Sequence, residues 1–179
     1  MPRLRGDELL PRQTGSRRPG PGTVAVGERL VESYPKHYGC LQLLAVGSLI
    51  QGDFAGALQG FTKVLETFPD DRYARLGQAK VLLAQSRQAE AIGLVDEVLA
   101  ETSEKIVKGD FEAYDYWLVA ACHTLLGDTA TAYEWFDKAA EAGRRFSLWD
   151  ASDPLFASLR GDSRFDNYLV ATRVARSSN

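Results

Sequence analysis

Catalysis usually needs a nucleophile, a proton carrier or a metal held by a few convergent side chains, and this chain offers few residues of those types. It has 2 histidines and 2 cysteines. His123 directly follows Cys122, and neighbouring positions on a helix point their side chains apart, so the two do not form a thiolate–imidazole pair. His37 stands in a turn between helices with no acid or nucleophile at a useful spacing. Cys40 and Cys122 fall in different helices, without a second His or Cys at metal-ligand spacing, and read as small core residues in a reducing compartment. Asp150 and Asp153, beside Trp149, are a carboxylate pair that could do acid–base work. Asp153-Pro154, however, is a helix start, and capping accounts for that carboxylate. Glycine-rich phosphate loops and spaced metal carboxylates are absent from the sequence. No catalytic residue, no cofactor and no metal is expected.

The elements that would position any site are set by a phrase that returns along the chain. In GDFAGALQGFTKVLETFP, residues 52–69, Gly52-Asp53 ends one helix and opens another, and Ala57, Phe61, Val64 and Leu65 recur on one helical face. Pro69 stops that helix. The phrase reappears with Ala91, Val95, Val98 and Leu99, and again with Ala132, Phe136, Ala139 and Ala140. Ala57 and Ala91 are 34 residues apart, and Ala91 and Ala132 are 41 apart, which is 34 plus two helical turns. Twelve residues before each of these alanines stands another small residue, Ala45, Ala79 and Ala120, where two helices must cross closely.

A helix-turn-helix unit of 34 residues resembles the tetratricopeptide repeat, with copies at 38–71, 72–112 and 113–146. Two positions depart from the pattern: Ser86 stands where the other copies have Gly52 and Gly127, and Arg75 where a large apolar residue is usual. The spacing predicts helices near 38–50, 55–68, 72–84, 88–108, 111–125, 129–142 and 163–173. The fold class is therefore expected to be all-α, a right-handed α-solenoid of about three repeats. The helix over 88–108 carries the extra two turns and closes at Gly109, its charged residues Glu101, Glu104, Lys105, Lys108 and Asp110 forming a solvated face. Upstream, Glu32-Ser33-Tyr34-Pro35 parallels Glu66-Thr67-Phe68-Pro69 at the same 34-residue offset, so 26–37 reads as a partial repeat or an N-terminal cap. Downstream, the DPLFASLRGDSRF phrase is similar to the tail that closes bacterial-type tetratricopeptide proteins, making 147–174 a C-terminal cap, with Phe146, Leu148, Trp149, Leu155 and Phe156 expected as capping core.

Composition limits the function classes. The chain has 179 residues, a hydrophobic fraction of 45% and a formal net charge of −3, which suits a folded globular protein and argues against nucleic-acid binding. Residues 1–20 hold five arginines against Asp7 and Glu8, a local balance of +3 that leaves −6 on the rest. Residues 1–25, dense in Arg, Pro and Gly, are expected to be disordered, as is the tail 175–179. No secretory signal is visible, and the run at 41–50 is too short to cross a bilayer, so a cytoplasmic protein without membrane insertion is expected.

In tetratricopeptide arrays the first helices line a concave groove. The resemblance implies groove positions Gln42, Val46, Leu49, Ile50, Tyr73, Leu76, Lys80, Leu83, Tyr114, Trp117, Ala121 and Leu125. Lys80 alone could grip a peptide carboxylate, which argues against the chaperone-tail binding known in part of the family. A mostly apolar groove suits an amphipathic helix or an extended peptide of a partner, anchored on Tyr73, Tyr114 and Trp117. The expected function is a non-catalytic interaction adaptor or scaffold. The alternatives are a structural subunit that self-associates, as a homo-oligomer or within a larger complex, and a regulatory partner of a kinase- or cyclase-type enzyme.

Overall fold

The computed structural model describes residues 22–169, and the expected disorder of 1–21 and 175–179 and the end of the cap at 170–174 lie outside them. Nine helices are found among the described residues: α1 (Gly22–Ser33), α2 (Tyr38–Gln51), α3 (Phe54–Thr67), α4 (Arg72–Ala84), α5 (Gln88–Lys108), α6 (Ala113–Leu125), α7 (Thr129–Glu141), α8 (Leu148–Ser152) and α9 over 163–169, with a 3-10 segment Pro154–Leu159 between the last two. No strand occurs among them. The helical pairs α2/α3, α4/α5 and α6/α7 stack in order as an α-solenoid, and α1 covers the open side of α2. α1 begins at Gly22, so 22–25, expected to be disordered, are helical.

The small residues do what their spacing requires. Ala45, Ala57, Ala79, Ala91, Ala120 and Ala132 are all fully buried. The closest approach of α2 and α3 is at Gly60, where an added Cβ would lie 2.8 Å from the Ala45 Cα. Successive repeats lock together through the Phe61 ring, which rests on Gly77 of α4. Asp53, Asp71 and Asp128 cap α3, α4 and α7 by accepting the N–H of Gly56, Ala74 and Thr131. Ser86 holds the left-handed conformation at φ 61° that Gly52 and Gly127 hold at 81° and 79°, so its side chain bears a cost the glycines do not.

α5 does run to Lys108 and ends on Gly109 in the left-handed region. Its charges, though, are not simply a solvated face. Arg75 Nη1 and Nη2 donate to the two carboxylate oxygens of Glu101, both at 2.6 Å, which explains how an arginine replaces the usual apolar residue. Thr102 accepts from Arg72 at 3.1 Å, and Lys105 lies 3.4 Å from the buried Asp115. The two additional turns thus carry Glu101, Thr102 and Lys105 to a polar seam with α4 and α6; Glu104, Lys108 and Asp110 are exposed as expected, Glu104 pairing with Lys108.

Candidate functional site

The C-terminal cap decides which part of the concave face is open. The 3-10 segment packs across α6, α4 and α2, burying Leu155 and Phe156. Phe156 meets Trp117 edge-on with ring centres 5.1 Å apart. Trp117 Nε1 donates to Asp150 Oδ1 at 2.9 Å, and the Tyr73 hydroxyl donates to Asp153 Oδ2 at 2.9 Å. These bonds join the tail to the first helices of the second and third repeats. A buried indole N–H and phenol require such acceptors, so the groove's central aromatics are completed by the chain itself.

The twelve expected groove positions divide accordingly. Val46, Leu49, Tyr73, Leu76, Trp117 and Ala121 are buried, and Trp117, at 2% exposure, is core rather than an open anchor. Ile50, Leu83 and Leu125 are half-buried at the C-terminal ends of α2, α4 and α6. Lys80 is half-buried beside the tail, its ammonium pushed to lower pKa by burial and by Arg160, with Asp153 acting the other way. Gln42 is partly open and Tyr114 is 37% exposed. Of the residues expected as cap core, Phe146, Leu155 and Phe156 are buried, whereas Leu148 and Trp149 are exposed at 63% and 48%.

What stays open is a cleft of about 430 Å³ at the N-terminal ends of α2, α4 and α6. Tyr38 and Gln42 of α2 form one wall. Asp70, Asp71, Arg72 and Tyr73 lead into α4, and Tyr114 and Trp117 come from α6. Arg144 and Trp149 of the cap complete it. Tyr114 stacks on Trp117, which stacks on Tyr73, at centre distances of 5.3 and 6.1 Å. The Arg144 guanidinium lies 4.8 Å from the Trp117 ring centre and donates to Asp150 at 2.8 Å. Arg72 is held by Asp115 at 2.6 Å. Asp115, which burial alone would raise, is brought below its ordinary range by the Glu112 N–H and Arg72. The Tyr38 phenol is raised by burial and by the negative charge of Asp71.

Sequence reasoning named Gln42, Tyr73, Tyr114 and Trp117 of this lining and missed Tyr38, Asp70, Asp71, Arg72, Arg144 and Trp149. One signal was available: Tyr73 and Tyr114 are 41 residues apart, the same offset as the repeat alanines, which puts an aromatic in the first turn of both first helices. Arg144 and Trp149 had no such signal, because the tail lies outside the repeat.

The carboxylates do not assemble a reaction centre. Asp150 accepts from Trp117, Arg144 and both donors of Ser147, and Asp153 from Tyr73 and Leu155. No group of His, Cys, Asp and Glu suited to a metal occurs among the described residues. Cys40 lies 3.5 Å from His37 Nδ1, a neighbour the sequence reading overlooked, and Cys122 is buried with its thiol pushed up to about 12. No helix among the described residues is long and apolar enough to cross a membrane.

Paired helices stacked with first helices on one concave side define an α-solenoid. Residues 49–105 match the sequence model of the tetratricopeptide repeat, a repeat that generally mediates protein–protein interaction. Among curated proteins the chain is similar to aspartyl/asparaginyl beta-hydroxylase of Homo sapiens, 27% identical over 131 residues. The Mus musculus protein of the same name is 26% identical over 131 residues. In both, the aligned stretch covers 73% of this chain and 17% of the relative.

Proposed function

We propose that the protein is a non-catalytic adaptor that binds a segment of a protein partner in the cleft at the N-terminal ends of α2, α4 and α6. The observation that carries this reading is the exposed aromatic pair Tyr114 and Trp149, 37% and 48% exposed, facing a polar cleft beside a groove otherwise filled by the cap. Rigid aromatics backed by packed neighbours lose little entropy on binding and serve as anchors. Tyr114 is backed by the Trp117 stack, and Trp149 sits at the start of α8, whose N-terminal turn is fixed by Ser147 and Asp150. The cleft's size admits one or two side chains of an extended segment rather than a whole helix face. Of the two partners expected from the sequence, an amphipathic helix and an extended peptide, this reading keeps the extended peptide.

A photo-crosslinking residue placed at Gln42 or Trp149 should attach a partner in cells, while the same residue at the exposed Val107 on α5 should not. Capture from Val107 alone would overturn the reading. A second reading, a regulatory or accessory segment of an enzyme, is favoured by the similarity to proteins named as hydroxylases. Co-purification of an enzyme with the intact chain tests it.

A further inference from the structure

Resting on the reading of the cleft as a peptide site, we infer that its preferred guest is an arginine side chain of the partner. The charges inside the cleft point to a cation. Its two arginines are already engaged: Arg72 with Asp115 at 2.6 Å and Thr102 at 3.1 Å, and Arg144 with Asp150 at 2.8 Å while stacked over Trp117. Each guanidinium is already neutralised by a buried acid and so attracts an incoming carboxylate less than a free arginine would, although Arg144 Nε keeps an unpartnered N–H. Asp70 and Asp71, by contrast, make no ion pair among the described residues. Asp71 accepts from the Ala74 N–H at 2.6 Å, and Asp70 is exposed. A carboxylate has room for several donors, so both can still accept.

The walls add to this preference. The rings of Tyr38, Tyr114 and Trp149 line the same cleft as these two acids, and aromatic faces attract a cation. The Arg144 guanidinium over Trp117 shows the same chemistry within the chain. Arginine fits better than lysine because its planar guanidinium can stack on a ring and donate sideways to a carboxylate at once. The charge of −6 outside residues 1–20 favours approach of a basic segment.

The test uses the full chain and immobilised nine-residue peptide pools with randomised flanks around a fixed central residue: arginine, its neutral isostere citrulline, or glutamate. The arginine pool should be retained roughly tenfold better than the citrulline pool, the equivalent of about 1.4 kcal/mol. That preference should weaken in raised salt and shrink severalfold in Asp70→Asn and in Trp149→Ala, both at exposed positions. Equal retention of the arginine and citrulline pools, lost in Trp149→Ala, would overturn the arginine inference and leave the cleft as a peptide site. Preference for the glutamate pool would overturn the inference in the other direction. Retention unchanged in Trp149→Ala would overturn both. Arginine binding confined to a variant lacking residues 1–20 would show that the chain's own arginines are the guest, not a partner's.

Discussion

Replacing Asp153 by asparagine should change how stability depends on pH. Asp153 is 1% exposed and accepts from the Tyr73 hydroxyl and the Leu155 N–H. Burial lifts its carboxyl from 3.8 to about 6, the two donors opposing and nearby Asp150 assisting. The folded state therefore keeps a proton that the unfolded chain has released. Its contribution to stability is fully present below pH 3.8 and is lost as pH rises through about 6. That difference corresponds to about 3 kcal/mol between pH 3.5 and 7. Asp115 and Glu101 act with the opposite sign, since both are held below their ordinary values and lose stability as pH falls. Asp153→Asn keeps the shape and an acceptor for Leu155, obliges the Tyr73 hydroxyl to accept from the new amide instead of donating, a pH-independent change, and removes the titration. Urea unfolding of both proteins across this range, followed by subtraction of the two curves, isolates Asp153. The native chain's stability relative to the variant should fall by up to about 3 kcal/mol from acid to neutral pH. Parallel curves would refute the account of a buried, proton-retaining carboxylate tying the cap to α4.

Three further substitutions probe the frame around the cleft. Ser86→Gly should stabilise by about 0.5–1 kcal/mol in chemical denaturation, because φ 61° costs an L side chain more than glycine; an unchanged midpoint would remove that cost. Ala91→Leu, at a fully buried crossing, should destabilise by about 1–3 kcal/mol, and a neutral effect would mean the crossing has space to spare. Arg72→Ala should cost about 3 kcal/mol by calorimetry, since Asp115 stays buried with only Lys105 as a charged partner. A loss within about 0.5 kcal/mol would show the seam is already hydrated.

Most of the repeat frame was legible because it is local and periodic. The alanine register, the extension of α5 to Gly109 and the unusual Ser86 follow from spacing alone. The groove was harder to read because its occupancy depends on contacts far apart in sequence. Trp117 and Asp150 are 33 residues apart and Tyr73 and Asp153 are 80 apart, and no periodicity announces that a tail will turn back across first helices. The same limit hid the pairing of Arg75 with Glu101, 26 residues apart, so a charge on an amphipathic helix looked solvated. It also reversed the roles of the tryptophans: Trp117, in a repeat helix, is core, and Trp149, in the cap, is exposed.

Hydrogen exchange of the chain with its crosslinked partner, compared with the free chain, tests the central claim most directly. Protection should appear in the first turns of α2, α4 and α6 and across 147–150, with the convex end of α5 around Val107 unchanged. Protection at Val107 and Phe111, with the cleft exchanging as in the free chain, would contradict the proposed site.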